Sequence, residues 1–337
     1  MISNLVSRIR EEVAGQLAAL PSPHLVLAVS GGPDSLCLAD AVLAIAPRRM
    51  LRPIIAHLDH GLRGAASAAD ADFVRTFAEA RGVPCVIERA DVRAYAQQHK
   101  CSIEVAARQV RYRFLARVAE AHQASWVALA HHADDQAETV LLRLIRGTGL
   151  WGLRGMRPYG PLPTARHLTA VRPLLRVVRA DIERYCHEQR LSPRHDATND
   201  ALDHTRNRIR HELLPLLERY NPNIRAVLVR LADTIAADLD IIAQATQEAF
   251  VRLAQAAEDG SFVVDRRAWQ ALSIGLQRAT LRWAAQQLRG EFIELPYAAV
   301  EEARAVLNSA ATSGEIALTR DVRIAVEKDV FTVRKSL

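Results

Sequence analysis

From about residue 24 onward, short apolar runs alternate with stretches of helical period. Residues 24–29 (HLVLAV) read as a buried strand, followed by a glycine turn and a helix from Ser35 to about Ile45. Residues 53–58 (PIIAHL) form a second expected strand, and 66–81 a helix with apolar residues at helical spacing. A third strand is expected at 83–88, after the break at Gly82, and a fourth at 126–130. Between them, 102–122 carries an apolar stripe of Ile103, Ala107, Val110, Phe114 and Val118; a further helix runs to about Ile145. Repeated β-α units with all-apolar strands predict an α/β fold, a parallel sheet with helices on both faces. Such sheets bind ligands beyond the carboxyl ends of their strands.

The texture changes after Gly147. Residues 147–178 are rich in Gly, Pro and Arg and read as loop, with a short strand near 169–174. Helices are expected at 181–189, 207–220, 221–256, 265–289 and 295–308, and the tail over 315–333 alternates as one or two strands. This pattern predicts a catalytic domain over 1–215, a helical linker over 216–245 and a small, mostly helical second domain over 246–337.

Half of the 337 residues are hydrophobic and about a quarter charged, enough to bury a core and unlike a disordered chain. No run of about 18 apolar residues exists, so no transmembrane helix is expected. The start has acids inside its apolar pattern, unlike a signal peptide. Cys37, Cys85, Cys101 and Cys186 are scattered without a CxxC pair, which argues against a disulfide framework or zinc site and fits a reducing cytoplasm.

The net charge of +6 is unevenly placed. Residues 141–230 hold 17 arginines and no lysine against 8 acids, leaving the rest of the chain acidic. Such a segment attracts polyanions, nucleic acid among them. Lysine is rare throughout (Lys100, Lys328 and Lys335), so only the clustering of the arginines carries weight.

Five strings carry candidate chemistry. Ser30-Gly31-Gly32-Pro33-Asp34-Ser35 follows the first strand. Its glycines let backbone N–H groups approach an anion, and the next helix points its positive end there. Asp34 repels a bare phosphate and makes sense beside one only with a cation such as Mg²⁺ between them. No GK[ST] follows, so this is not a Walker A loop; a plain capped turn accounts for only part of the string. His57-Leu58-Asp59-His60-Gly61-Leu62-Arg63-Gly64 ends the second strand and by itself reads more readily as a hydrogen-bonded turn than as a site. Glu104, Arg108, Arg111 and Tyr112 lie on one helix, the first three on a shared stripe. That stripe is equally a solvated face or a set of phosphate-holding arginines.

His131-His132-Ala133-Asp134-Asp135-Gln136-Ala137-Glu138 spans the end of the fourth strand and the next helix start. Acids favour a first helical turn, but that leaves the paired histidines and Glu138 unexplained. The string is not HExxH, and hard oxygen donors favour Mg²⁺ over zinc. Last come 144–156 (LIRGTGLWGLRGM), Arg172-Pro173-Leu174-Leu175, Asp196-Ala197-Thr198-Asn199, and Arg206-Asn207-Arg208-Ile209-Arg210, the last suited equally to phosphate contact or to a basic loop.

The hexapeptide resembles the pyrophosphate-binding loop of the N-type ATP pyrophosphatases. Together with HLDHGLRG, EVAARQVRY, AHHADDQAET and RGTGLWGLRGM, all in order over residues 24–220, the chain is similar to the tRNA(Ile)-lysidine synthetase family of the PP-loop superfamily. The second domain matches more loosely, chiefly at 274–288. The resemblance implies adenylation of the wobble cytidine of an isoleucine tRNA with a CAU anticodon, then displacement of AMP by L-lysine. The lysidine formed changes codon reading from AUG to AUA and charging from methionine to isoleucine.

The resemblance further implies that Ser30, Gly31, Gly32, Pro33, Asp34 and Ser35 bind ATP phosphates, with Asp34 helping to hold Mg²⁺. Asp135 and Glu138 would attract the lysine or help deprotonate it, since only the free amine is a nucleophile. Arg111 and His131 would stabilise negative charge on the intermediate. Arg63, Arg108, Arg206 and Arg208 would contact phosphate or tRNA, residues 246–337 would bind tRNA, and a homodimer follows by family analogy alone. Two departures stand out. Ala130 replaces an expected glycine, and the chain ends soon after its first C-terminal domain, so recognition of the tRNA acceptor region is expected to differ. The rival readings are a tRNA thiolase, for which the CxxC pair is lacking, a small-molecule ATP pyrophosphatase, and a tRNA-binding module without catalysis.

Overall fold

Leu25 and Leu27 enter one hydrophobic core and Val26 the other, all three excluded from solvent. This period-two division is why β1 (His24–Ala28) reads as an unbroken apolar run. The computed structural model describes residues 4–62, 64–194, 204–290 and 295–336. They divide into two compact units, Met1–Ile235 and Ala236–Leu337.

In the first unit, β1 is flanked on one side by β2 (Arg52–Asp59) and then β3 (Cys85–Arg89). On the other side lies β4 (Trp126–Ala128), with β5 (Tyr159–Leu162) and β6 (Ala165–Val171) completing the order β3-β2-β1-β4-β6-β5. Every neighbouring pair is parallel except β5–β6, an antiparallel edge with a register shift at Pro161/Leu162. The chain runs outward from β1 to β3, then returns to β4 on the opposite flank of β1. The carboxyl ends of β1 and β4 therefore border a topological switch point, the place where open α/β sheets bind their ligands.

One face of this sheet is covered by α1 (Asn4–Gln16), α2 (Pro33–Arg49), α3 (Ala65–Glu79) and a later helix, Arg179–Glu188, all sharing one core. On the other face, α4 (Val92–His99) packs on α5 (Ile103–Ala121), which packs on the sheet through Tyr112, Phe114, Leu115 and Val118. After β4 come α6 (Ala133–Ile145) and the short α7 (Leu150–Leu153); Arg179–Glu188 is α8. Then follow α9 (His204–Arg208), a π-helical turn (Ile209–Leu213), α10 (Leu214–Tyr220) and the long α11 (Ile224–Leu253). A separate core joins Ala137, Val140 and Leu141 of α6 to Ile209, Leu214, Leu228 and Ala232. It fixes the arginine-rich turn against the helix that carries the acids.

The second unit holds a five-stranded antiparallel sheet, more than the one or two strands the tail predicts. Its strands are β7 (Ala254–Ala256), β8 (Phe262–Asp265), β9 (Gly314–Ala317), β10 (Val322–Val326) and β11 (Val330–Lys335), in the order β7-β8-β11-β10-β9. The expected helix over 265–289 is two, α12 (Arg266–Gln270) and α13 (Ile274–Arg289), because Ser273 caps the second by accepting from Leu276 N. With α14 (Tyr297–Leu307) they bury Trp269, Leu281, Val300 and Phe331. Among the described residues no helix is long and apolar enough to cross a membrane.

Candidate active site

The turn after β1 is tight because Gly31 adopts φ +92°, a left-handed value that favours glycine. Pro33 opens α2, where a missing N–H costs nothing. The Ser35 hydroxyl accepts from the N–H groups of Ser30 (3.1 Å) and Gly31 (3.2 Å) and donates to the Gly32 carbonyl (3.0 Å). The Ser30 hydroxyl accepts from Gly32 N–H at 3.4 Å. Arg194 N–H donates to the Gly31 carbonyl at 3.0 Å while its guanidinium pairs with buried Asp70 of α3. Loop N–H groups thus converge on oxygen at the helix start, the arrangement an anion site needs.

Across the switch point lies the loop after β4. Buried His132 stands among three carboxylates: its Nε2 is 3.7 Å from Asp34 Oδ1 and 3.4 Å from Asp135 Oδ2, and its Nδ1 is 3.7 Å from Asp134 Oδ2. His132 was not singled out by sequence reasoning; the paired histidines were the available signal. Burial raises the Asp34 carboxyl above its ordinary range, although His132 and Arg179 oppose this. Asp34 Oδ1 is enclosed without a hydrogen-bond partner. An orphaned carboxylate oxygen beside a glycine turn rich in N–H donors fits Mg²⁺, which is commonly held by one or two carboxylates together with substrate phosphates.

Asp135 and Glu138 come together, one turn apart on α6, but not as bare acids. Arg206 donates to Glu138 Oε2 at 2.8 Å and to Asp135 Oδ1 at 3.1 Å. Arg210 donates to both oxygens of Glu138, at 2.6 and 3.1 Å, and stands 3.6 Å from Asp135. Asp135 Oδ2 also accepts from His132 N–H at 3.1 Å. Burial works against ionising Asp135, yet His132, His131 and Arg206 hold its carboxyl below the ordinary range. So the structure brings Arg206 to carboxylates, and Arg208 lies on the surface against Glu212.

His131 is half-buried with its Nδ1 enclosed; burial pushes its imidazole down to about 3 despite Asp135, and Arg172, Arg111 and Arg206 act in the same direction. It is neutral at pH 7, and its Nδ1 has no hydrogen-bond partner. Arg108 and Arg111 are exposed on α5, each with its guanidinium 5.4 Å from the ring of buried Tyr112.

Other members of these strings are structural. Asp134 accepts from Arg179 N–H at the start of α8 (2.9 Å) and from Arg225 (2.9 Å), so it caps a different helix from its own. Buried Gln136 holds Met156 from both sides, accepting from its N–H at 2.7 Å and donating to its carbonyl at 3.0 Å. His57 Nδ1 lies 2.8 Å from the Val29 carbonyl, and Asp59 accepts from Gly61 N–H at 2.7 Å, which makes that string a hydrogen-bonded turn. Arg63 and the string Asp196-Ala197-Thr198-Asn199 lie outside the described residues.

The model of a PP-loop domain matches residues 5–217. The chain is 38% identical over 304 residues to a tRNA(Ile)-lysidine synthase of Geobacter sulfurreducens, covering 90% of this chain and 63% of that protein. It is 36% identical over 331 residues to one of Symbiobacterium thermophilum, covering 96% and 67%. The chain belongs to the tRNA(Ile)-lysidine synthase branch of the PP-loop family. A third relative of that name, from Dehalococcoides mccartyi, is 36% identical over 85% of this chain and 61% of its own length. The chain thus spans about three fifths of the length of the first relatives it matches. Among solved structures, the U34-tRNA thiolase NcsA from Methanococcus maripaludis with its [4Fe-4S] cluster shares the fold, with a TM-score of 0.53 and 17% identity over 68% of this chain and 78% of that one.

Proposed function

We propose that this chain adenylates the wobble cytidine of an isoleucine tRNA with a CAU anticodon, using ATP, and joins L-lysine to it with release of pyrophosphate and AMP. The observation that carries the reading is the gathering of Asp34, Asp135 and Glu138 around His132 and the arginines, beside the SGGPDS turn at the switch point.

In this reading the turn from Ser30 to Ser35 takes the ATP phosphates. Mg²⁺, held by Asp34 and those phosphates, supplies charge neutralisation when bound. Asp135 and Glu138 receive the lysine side chain, whose ammonium competes with Arg206 and Arg210 for the same oxygens; a carboxylate freed in the exchange is placed to take the amine's proton. Arg111 faces negative charge on the intermediate, and neutral His131 offers a ring nitrogen for a hydrogen bond. Arg63, Arg108 and Arg208 contact tRNA phosphates, and the second unit binds tRNA. The enzyme works in the cytoplasm as a homodimer.

The test is incubation with radiolabelled lysine, ATP, Mg²⁺ and a CAU-anticodon isoleucine tRNA transcript. Label that stays on the tRNA after mild base, and is lost with Asp34→Ala, supports the proposal. AMP release without label makes lysine the wrong nucleophile, and neither label nor AMP rejects the reading.

A further inference from the structure

Most arginines near the candidate active site are matched to acids: Arg194 to Asp70, Arg206 and Arg210 to Asp135 and Glu138, Arg225 to Asp134 and Glu218. Three are not. Arg108 and Arg111 stand over the ring of Tyr112, and Arg172 leaves the carboxyl end of β6 beside them. Among the described residues none of the three has a carboxylate within ion-pair distance, although Glu104 stands one turn before Arg108. Arg172 donates from one terminal nitrogen to the Arg157 carbonyl at 2.9 Å, while its Nε is enclosed without a partner.

This arrangement is costly in the free protein. Burial disfavours the cationic form of Arg172, and Arg108 and Arg143 oppose it further. Arg143 is itself tied to the carbonyls of Gly152 and Gly155 and supplies no counter-charge. Cations gathered without an acid, one with an orphaned donor, are compensated when an anion with several acceptor oxygens enters. A guanidinium fork matches phosphate geometry, and both Arg111 and Arg172 act on His131, so the cluster borders the candidate active site.

We propose that Arg172, together with Arg108 and Arg111, forms a phosphate-binding site at the carboxyl edge of β4 and β6. The phosphate is either a phosphodiester of the bound tRNA or part of the phosphate chain of ATP. The inference rests on the proposed function only for these two sources.

Two binding measurements on the full chain separate them: filter binding of the CAU-anticodon transcript across a salt series, and equilibrium dialysis of ATP. The expected result is that Arg172→Gln weakens tRNA binding about tenfold and reduces the slope of log affinity against log salt by about 0.9, with ATP affinity unchanged. A loss confined to ATP binding supports the site and assigns it to the nucleotide. Unchanged affinity in both arms, for a variant with the wild-type unfolding midpoint, overturns the site. If Arg172→Gln does not fold, Arg108→Gln at its exposed position gives the same two readouts. Neither arm requires lysine transfer. A wild-type chain that binds tRNA but incorporates no lysine therefore rejects the proposed function and leaves this site standing.

Discussion

The Arg210 guanidinium meets the Glu138 carboxylate side-on, Nε to Oε1 at 2.6 Å and Nη2 to Oε2 at 3.1 Å, and Glu138 is only 1% exposed. Arg206 adds a third bond at 2.8 Å. Around this buried carboxylate the two guanidinium groups take the place of water. Breaking a buried pair usually costs about 3–5 kcal/mol. Here the arginines keep Asp135 and partial solvent access, so Glu138→Gln is expected to cost about 2 kcal/mol in urea unfolding. The same variant should raise the KM for lysine at least tenfold, with a smaller effect on that for ATP. An unchanged lysine KM would remove Glu138 from the lysine site.

His131 makes stability depend on pH in a definite direction. Burial holds its folded-state value at about 3 against the ordinary 6.5, so between those values the unfolded chain binds the proton more readily. Stability from this group is intact above about 6.5 and declines as the pH falls toward about 3. Asp135, held below 3.8, adds its own loss as the pH falls below that value. His131→Gln should flatten the limb below 6.5 in urea midpoints measured against pH. A limb of unchanged steepness would assign it to other groups.

Much of this was legible in the chain, for physical reasons. Strands β1, β2 and β4 announce themselves because both faces are buried, β3 is a half-buried apolar run at the sheet edge, and Gly31 and Gly82 mark turns because both take positive φ. Helix α1 was not anticipated, although Leu5, Val6, Ile9 and Val13 lie on one buried face, because its acids broke up the pattern. Nor was β5, which contains a proline and pairs only at the sheet edge. In the site, sequence supplied Asp34, Asp135 and Glu138 but read Arg206 as a phosphate contact. Charge shows that an arginine needs a partner; only packing of the π-helical turn on α6 decides which one it meets. Gln136 and Arg172 were quoted within their strings but given no role of their own, because the partners of such a side chain leave no periodic signature in the chain.

Gly155, in the turn after α7, is fixed by contact. Gly155 has φ +64°, and a Cβ there would stand 2.5 Å from Gln136 Oε1, an atom engaged with Met156 N–H. Gly155→Ala should therefore cost about 2 kcal/mol, the left-handed penalty plus displacement of Gln136. Gln136→Ala removes the clash but not the backbone strain. The double variant should be more stable than the sum of the two single losses allows, as a double-mutant cycle in urea would detect. Simple additivity would mean that the two positions do not press on one another.

Arg266 organises the second unit through carbonyl groups. Only 3% exposed, it donates from Nε to Leu307 (2.9 Å), from Nη1 to Ala311 (2.5 Å) and Glu327 (3.0 Å), and from Nη2 to Ser309 (2.7 Å) and Val306 (3.3 Å). It thereby satisfies carbonyls at the end of α14 and in the loop beyond, which a helix end otherwise leaves open. Arg266→Met removes all five bonds while keeping most of the volume and should cost about 3 kcal/mol, several acceptors being stranded at once. Arg266→Lys should recover little, because a single ammonium cannot span the positions reached by a planar fork. Unfolding of the full chain followed by tryptophan fluorescence, which includes the neighbouring buried Trp269, should show an earlier transition for both variants. If lysine restores the wild-type midpoint, charge alone and not the fork holds this corner of the fold.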